Sequence, residues 1–199
     1  MAERRIQPGW RYSVAQLVLR LLFGRKCHYI SPWNNAGVGA AVAILSQDGS
    51  RVLLQQRAGK VENVGKWGAF GGYLEISDEE TFVTGAAREF FEETGVKLDL
   101  KSFGEPDYVT FIHKRAMHMH WQYSWVAGWF FRAMPEDFID LLQPSDEVSN
   151  YKWVTEAEFQ TMWRKGEIAG AKEDHYGCIL RAFEKASHGP LPSLLLART

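Results

Sequence analysis

Three glutamates in one short stretch are the residues of this chain best suited to chemistry. Glu89, Glu92 and Glu93 lie in the segment REFFEETGV, three and four positions apart. In a helix these spacings bring like charges together on one arc, which weakens an isolated helix by roughly 0.2–0.5 kcal/mol per pair. Mg²⁺ and Mn²⁺ prefer carboxylate oxygens, so a bound cation would offset the repulsion. A solvated acidic face, partly neutralised by Arg88 and Lys97, is the alternative.

The segments on either side of the glutamates predict how they are positioned. Ser77 and Glu80 have the spacing of a capping box, which predicts a helix that starts at Ser77, and Gly95 is placed to end it in a left-handed cap. Gly71 and Gly72 precede the helix, and without side chains their carbonyls can approach a metal or ligand closely. The opposite flank of the helix is apolar and predicts burial on a core: Phe82, Val83, Ala86 and Phe90.

The remaining chain reads as strands and helices in alternating groups. An apolar run, the turn residues Asp48 and Gly49 and a second run predict a hairpin. A strictly alternating segment, 118–125, predicts a half-buried strand that continues through Gly128, where a bulge is expected. The strands of the hairpin are 37–45 and 51–57. Further strands are expected at 107–112 and 151–154, and helices at 155–164 and 172–187. This order predicts an α+β domain, layered αβα, with a mixed β-sheet.

The glycine pair and the helix together resemble the signature of Nudix hydrolases. That family writes a loop-helix-loop as G-x5-E-x7-R-E-U-x-E-E-x-G-U, where U is a bulky apolar residue. From Glu80 to Val96 every demanded position is filled, but seven residues separate Gly72 from Glu80 where the family has five. We expect the two extra residues after Glu75. The resemblance covers roughly residues 37–163 and implies a Nudix-like αβα sandwich with N-terminal and C-terminal helical additions.

The resemblance also implies an activity. Family members cleave a nucleoside diphosphate linked to another moiety, by attack of water on phosphorus with divalent metal ions assisting. A Mg²⁺-dependent hydrolase of phosphorus-containing anhydrides is therefore expected, with Mn²⁺ as the alternative metal and a nucleotide sugar, ADP-ribose or similar small molecule as substrate. The motif implies that Glu92 and Glu93 are metal ligands, that Glu89 is a further ligand or the base, and that the Gly71 carbonyl is a ligand. Arg88 is expected to orient Glu89 or to pair with Glu80.

Further site residues are expected outside the motif. Family members often use an acidic residue from the loop before the last core strand, which favours Glu147 as a catalytic residue, with Asp146 and Glu136 as alternatives. Arg57 ends the second strand and is a candidate for binding a phosphate, although a surface ion pair is equally compatible with its position. Most aromatic side chains pack in the core, but four are candidates for stacking on a base: Trp33, Trp67, Phe70 and Trp121.

The ends of the chain lie beyond the resemblance. We expect an N-terminal helical extension over 1–35, a hydrolase domain over 36–165, and a C-terminal helix and tail over 166–199 that pack on the same domain. Residues 12–24 carry an apolar stripe that predicts packing on the core or on a second copy in a homodimer, with interfacial membrane binding as the minor alternative. This run is shorter than the roughly 20 residues that span a bilayer, so no membrane anchor is expected.

Composition narrows the classes of partner and compartment. The net charge of -1 supplies no field for a nucleic acid, so none is expected as a partner. Cys27 and Cys178 are far apart, which is typical of a reducing compartment and predicts a cytoplasmic location. An isoprenoid isomerase of the same fold uses a cysteine in its core site, and the positions of these two disfavour that alternative. A catalytically silent ligand sensor is a second alternative, disfavoured by the intact glutamates.

Overall fold

The computed structural model describes residues 36–59, 63–74, 80–115, 121–133, 137–170 and 175–197. Seven strands and three α-helices lie within these ranges. The strands are β1 (Ala36–Leu45), β2 (Arg51–Arg57), β3 (Trp67–Gly68), β4 (Phe70–Tyr73), β5 (Tyr108–Arg115), β6 (Trp121–Arg132) and β7 (Val148–Thr155). The helices are α1 (Phe82–Thr94), α2 (Glu156–Arg164) and α3 (Gly177–His188), and short 3-10 turns cover Leu100–Ser102 and Phe138–Leu141.

The strands form one mixed sheet that splits near its middle. Strand β1 runs parallel to β6 along its whole length, and β6 is antiparallel to β5. On its other side β1 meets β2 at the pair Leu45 and Val52, after which β4 takes the place of β2. Strand β3 pairs with β2, so the chain changes partner between β3 and β4, at Ala69. The divergence of β1 and β2 leaves a space that this crossing segment fills.

Alternation along the strands separates two apolar clusters, one on each side of the sheet. Ala40, Val42 and Ile44 of β1 pack with Phe90 of α1 and form the cluster that we call the α1 face. Their neighbours in β1 and β2 point the other way and pack under α2 and α3, in the cluster that we call the α2–α3 face: Ala43, Leu45, Val52 and Leu54. The predicted αβα arrangement with a mixed sheet is confirmed.

The start of α1 differs from the prediction. The helix begins at Phe82, with Thr81 as its N-cap, and the capping box joins Thr81 to Thr84. Glu80 therefore lies before the helix, where its carboxylate pairs with Arg88. Ser77 lies outside the described residues, as do the two extra loop residues expected after Glu75. The predicted end of the helix is confirmed, since Gly95 adopts φ 74° and its N–H bonds back to the Phe91 carbonyl.

Strand β6 departs from its sequence pattern in two respects. Trp125 is 53 % exposed and packs on Phe111 of β5, with the ring centroids 5.1 Å apart, whereas its polar neighbour Ser124 is buried and bonds to the Tyr73 hydroxyl. At this point of β6 the polar side chain is buried and the aromatic one is exposed, the reverse of what the alternation suggests. The expected bulge at Gly128 is wrong, because the β1–β6 register is unbroken there; the Tyr108 ring lies where a side chain would be.

The C-terminal tail packs on the sheet. Leu194 is buried in the α1 face and Leu191 in the α2–α3 face, and bridges join Leu98 to Leu196 and Arg132 to Ser193. The stripe predicted over 12–24 lies outside the described residues. Within the parts of the chain that the structure describes, no helix combines the length and apolar character needed to cross a bilayer.

Candidate active site

Two of the three glutamates are buried where α1 faces the split in the sheet. Phe90 packs in the α1 face and sets the rotation of the helix. That rotation turns Glu89 and Glu93, one turn apart, toward β4, and they are 8 % and 6 % exposed. The Glu92 side chain lies at the rim and is 48 % exposed. The predicted arc therefore has a buried pair and one member open to solvent.

Both carboxylate oxygens of Glu93 accept a hydrogen bond from the protein. The side-chain amide of Gln55 donates to Oε1 at 2.6 Å, and the backbone N–H of Gly71 donates to Oε2 at 2.8 Å. These donors come from β2 and β4, the strands on either side of the split. Glu93 thus ties α1 to both halves of the sheet.

The backbone of Gly71 is turned toward α1 by the β1–β4 ladder. The N–H of Leu74 bonds to the Val38 carbonyl, and hydrogen-bonded pairs alternate in an antiparallel ladder. Ala41 and Gly71 are then a pair that exchanges no hydrogen bonds, so the Gly71 N–H and carbonyl point away from β1. At φ 131° a Cβ at position 71 would overlap the Ala40 carbonyl, so only glycine fits. The Gly71 N–H thereby points away from β1 and reaches the Glu93 carboxylate.

The electrostatics of the buried pair favour a positive charge. Burial, followed by the nearby charge of Glu89, raises the pKa of Glu93 to about 8. The hydrogen bonds from Gln55 and Gly71 and the charge of Arg57 oppose this shift and lower the pKa. Because two carboxylates in a poorly solvated place cannot both ionise without compensation, a cation at this point would be strongly stabilised.

Arg88 organises the acidic residues around the buried pair. Its Nε and Nη2 bind the two oxygens of Glu80 at 2.6 and 3.1 Å, which matches the expected pairing. Its Nη1 lies 3.1 Å from Glu89 and 2.9 Å from Glu92, and Nη2 also donates to the Tyr73 carbonyl. The hydrogen bond to Glu80 is the main reason that the pKa of Arg88 is raised, so the guanidinium stays charged. Glu92 is directed toward this guanidinium.

The donor set fits a hard divalent cation in its chemistry. In the described parts of the chain, no three acidic, histidine or cysteine side chains already converge as a metal site, and Arg88 pairs with both Glu89 and Glu92. Two buried carboxylates, Glu89 and Glu93, and the Gly71 carbonyl nevertheless present only oxygen donors, as Mg²⁺ and Mn²⁺ prefer. A Cβ on Gly72 would overlap the Glu89 carboxyl group, so this space exists only beside a glycine. These residues are the ones that could hold the ion.

Two predicted residues outside the motif lie at one end of β2. The Ala58 N–H donates to the Glu147 carbonyl at 2.7 Å. The loop before β7 therefore lies next to the end of β2, where Arg57 precedes Ala58. Arg57 is close enough to Glu93 to lower the pKa of that carboxyl group. Asp146, an alternative to Glu147, is exposed, and Glu136 lies outside the described residues.

The aromatic candidates for base stacking do not share one place. Phe70 is buried in the α1 face, with its ring edge-on to Phe90 at 4.9 Å, so the core occupies the surface that a base would need and the stacking expectation does not suit this residue. Trp67 is half-buried beside the α2–α3 face, and the Lys152 ammonium lies 4.0 Å from its ring centroid. Trp33 lies outside the described residues.

Sequence analysis missed two residues that contact Glu93. Gln55 follows Leu53 on the α1 face, and the period of two in RVLLQQR, with an amide at an inward position, was the available signal. The Tyr151 hydroxyl on β7 lies 2.5 Å from the backbone carbonyl of Glu93 and 2.8 Å from that of Gln143. Burial raises the pKa of Tyr151 to about 12, so its hydroxyl keeps the proton that it donates. Nothing in the local sequence signals this tertiary contact.

The position of Cys178 argues against the alternative of an isoprenoid isomerase, which uses a cysteine in its core site. Cys178 belongs to α3, and its side chain is buried in the α2–α3 face, on the opposite side of the sheet from Phe90 and Glu93. A thiol there does not reach the acidic pair. Cys27 lies outside the described residues.

Comparisons with known proteins agree with this architecture. The NUDIX domain family matches residues 36–173. A bifunctional NMN adenylyltransferase/ADP ribose pyrophosphatase from Francisella tularensis, solved with AMP and a Mn ion, has a TM-score of 0.55 and 20 % identity over 88 % of this chain and 47 % of that chain. This chain thus spans less than half of the Francisella protein. A search of curated proteins found no match.

Smaller solved structures are similar over nearly their whole length. A MutT Nudix hydrolase from Burkholderia pseudomallei has a TM-score of 0.51 and 18 % identity, over 75 % of this chain and 97 % of that chain. A Nudix hydrolase from Nitrosomonas europaea has a TM-score of 0.52 and 16 % identity, over 79 % and 93 %. At these identities the likeness concerns the fold. Together with the family match over most of the sequence and the motif that forms α1, it shows that this chain belongs to the Nudix family.

Proposed function

We propose that this protein is a divalent-metal-dependent Nudix pyrophosphohydrolase. It cleaves the diphosphate linkage of a nucleoside diphosphate joined to another moiety, such as a nucleotide sugar or ADP-ribose. The observation that carries the proposal is the burial of Glu89 and Glu93 side by side, with the pKa of Glu93 raised to about 8. A folded protein has no structural need for such a pair, since it weakens the helix and the core alike. A cation-binding role accounts for it.

Mg²⁺ is the proposed cofactor and Mn²⁺ the alternative, because the donors are all oxygen atoms. The names of the similar proteins support a nucleotide substrate, since the Francisella enzyme is described as an ADP ribose pyrophosphatase and was solved with AMP and a Mn ion. When bound, such an ion polarises phosphorus and lowers the pKa of water so that hydroxide can attack near neutral pH.

The residues of the chain have separate roles in this proposal. Glu93, fixed by two hydrogen bonds, is a ligand, and Glu89 beside Gly72 is a second ligand or the base that accepts a proton from water. Glu92, which here pairs with Arg88, would be the further carboxylate of the ligand set. Arg57 neutralises a phosphate at the end of β2. Most of the acceleration then comes from holding the diphosphate in place and from stabilising its charge.

Glu147 is proposed as a further catalytic acid or base. Its loop is fastened to the end of β2 through the Ala58 N–H, and the Glu147 N–H in turn binds the Ser145 hydroxyl at 3.3 Å. This anchoring holds the Glu147 backbone next to the end of β2, on a loop that is separate from α1.

A substrate panel tests the proposal. The purified full chain is incubated with Mg²⁺ or Mn²⁺ and ADP-ribose, NADH, nucleotide sugars, CDP-alcohols or nucleoside triphosphates, and release of mononucleotide or phosphate is followed by chromatography. We expect metal-dependent turnover of at least one diphosphate-linked compound, with abolition by EDTA. Absence of turnover on every compound, with tight binding of one of them, would instead favour a ligand sensor.

The homodimer, the cytoplasmic location and the domain limits at residues 35 and 165 are parts of the same proposal. The apolar stripe of 12–24 supports a dimer in which this segment packs on a second copy. Multi-angle light scattering on the full chain measures the mass directly, and a monomer would contradict the dimer.

A further inference from the structure

Gln55 is a buried polar residue that the sequence motif does not demand. It is 0 % exposed, and its neighbours on β2, Leu53 and Leu54, are apolar and equally buried. An apolar side chain would continue this pattern and would need no hydrogen bond. The amide at this position therefore calls for a reason other than core packing.

The orientation of the Gln55 amide is fixed by its neighbours. Its Nε2 donates to Glu93 Oε1 at 2.6 Å and to the Ala69 carbonyl at 3.1 Å. Both neighbours are acceptors, so a flipped amide would bring oxygen against oxygen. The cost of this orientation is visible on the other side, where the buried Oε1 has no hydrogen-bond partner among the described residues. A side chain selected only for stability would not keep an unsatisfied acceptor.

The two donors to Glu93 divide its carboxylate between them. Gly71 supplies a backbone N–H to one oxygen and Gln55 a side-chain N–H to the other. One bond to each oxygen fixes the plane of the carboxylate and leaves lone pairs on both oxygens for a cation. The backbone donor is fixed by the ladder, so Gln55 is the donor that a side-chain substitution can remove.

We infer that Gln55 is a positioning residue that holds the Glu93 carboxylate in its metal-binding orientation and so sets the affinity of the site for divalent cations. Groups that orient metal ligands commonly change metal affinity or activity about 10–100-fold when removed. The inference rests on the proposed function only in taking Glu93 as a ligand, and it concerns the binding of the ion rather than the choice of substrate.

Metal binding without substrate tests this role in the full chain. Gln55→Met keeps the length of the side chain and removes both donors, and Gln56→Met is the matched control. Gln56 is the next residue of β2, and its amide bonds to the Gly65 carbonyl at 3.0 Å, away from Glu93. Electron paramagnetic resonance of free Mn²⁺ gives the dissociation constant. We expect Gln55→Met to weaken Mn²⁺ binding about 10–100-fold and Gln56→Met to leave it unchanged.

A merely structural role is separated by two further variants. Gln55→Asn keeps an amide but is one methylene too short for the bond to Glu93, so it should also weaken Mn²⁺ binding at least about tenfold while preserving a polar group in β2. In the Glu93→Gln background, Gln55→Met should add no further loss of Mn²⁺ affinity, because its effect acts through the Glu93 carboxylate. A general disturbance of the strand would add to the loss in full.

The outcomes separate this inference from the proposed function. Wild-type Mn²⁺ affinity in folded Gln55→Met and Gln55→Asn would overturn the positioning role even if the wild-type chain hydrolyses a substrate of the panel. An additive loss in the Glu93→Gln background, or no Mn²⁺ binding by the wild-type chain, would overturn it as well. Conversely, the expected shifts in a chain that turns over no compound would support the role of Gln55 and count against the proposed hydrolysis.

Discussion

The two faces of the sheet are built from the same strands but bury different chemistry. On the α2–α3 face, Leu45, Leu54 and Phe159 pack with aliphatic and aromatic neighbours. The α1 face has an apolar cluster of its own and also buries Gln55, Glu89 and Glu93 beside it. Among the described residues, these two glutamates are the buried acidic side chains.

The difference follows from where the sheet splits. On the α2–α3 face, neighbouring strands present apolar side chains that pack against one another. Between α1 and the sheet, β1 and β2 diverge after Leu45 and Val52, and the crossing segment offers the Ala69 carbonyl and the Gly71 N–H beside the buried Phe70 ring. Polar side chains can satisfy those groups, so burial of charge becomes feasible there. One face therefore contributes mainly stability, and the other also buries the acidic pair on which the proposed function depends.

The largest expected effect comes from changing the buried acid on the α1 face. Glu93→Gln removes the charge and leaves one oxygen for two donors, so hydrolysis should fall on the order of 10³-fold, equivalent to about 4 kcal/mol. The fold should persist, because glutamine has the size of glutamate and the change removes a buried ionisable group. Initial rates at saturating Mg²⁺ and circular dichroism measure both. Glu92→Gln, at the exposed member of the arc, should also lose most activity.

Its control lies on the other face. Glu156→Gln changes an exposed acid in the first turn of α2, and activity should be unchanged. Wild-type rates in both Glu92→Gln and Glu93→Gln would contradict the proposal that these residues bind the metal. The α1 face would then not differ from the α2–α3 face in function.

The next effect is on stability alone. Phe159 is buried in the α2–α3 face and stacks on Tyr176, with the ring centroids 5.5 Å apart. Phe159→Ala should lower the free energy of unfolding by about 3–4 kcal/mol, because it removes packed surface and leaves a cavity. Urea unfolding measures this loss. The kcat of the folded fraction should stay at the wild-type value; a fall in kcat with unchanged stability would show that the two faces are coupled.

The contrast between the faces also explains how far sequence reasoning reached. The 3.6-residue period placed Glu89 and Glu93 on one arc, and alternation placed the strands, because both signals are local. The start of α1 was placed at Ser77 because Glu80 fits a capping box there. The structure uses Glu80 to bind Arg88 instead, and Thr81 caps the helix. Glu80 fits both a capping box with Ser77 and an ion pair with Arg88, eight residues further along the chain, and the structure contains the ion pair.

Other features depend on contacts between distant segments and have no local signal. The partner of Gln55 lies 38 positions away in the sequence, and the burial of Phe70 follows from its register against Val42 of β1. The exposure of Trp125 depends on which part of the sheet α1 leaves uncovered. Periodicity tells that a residue faces one side of a strand, but not what covers that side.

A third change sharpens the comparison within the α1 face. Arg88→Lys keeps the charge but cannot bind both oxygens of Glu80 while reaching Glu89 and Glu92. We expect the free energy of unfolding to fall by about 1–2 kcal/mol, with hydrolysis reduced about tenfold. Urea unfolding and initial rates measure the two effects.

The matched change on the other helix is Arg164→Lys, at the exposed end of α2. Its guanidinium binds the Gln160 carbonyl and the Thr161 hydroxyl at the surface, so the loss should stay below about 0.5 kcal/mol. Equal losses in the two variants would mean that the Arg88 network contributes no more than a surface contact.

The smallest expected effect concerns a carboxylate outside both faces. Asp48, exposed in the β1–β2 turn, accepts hydrogen bonds from the Ser46 hydroxyl and from the N–H and hydroxyl of Ser50. These bonds, the one from Ser46 first, lower the pKa of Asp48, whereas burial raises that of Glu93. A lowered folded-state pKa means that the stabilisation is fully present above the unfolded value of about 4 and is lost as the pH falls below it. Asp48→Asn should therefore destabilise the protein by less than about 1 kcal/mol at neutral pH, and the difference should shrink toward zero in acid. Urea unfolding of both proteins between neutral pH and about pH 3 measures it, with Asp137→Asn, whose carboxylate makes no capping bond, as the control. A difference that grows on acidification would show that the ionised Asp48 carboxylate does not stabilise the turn.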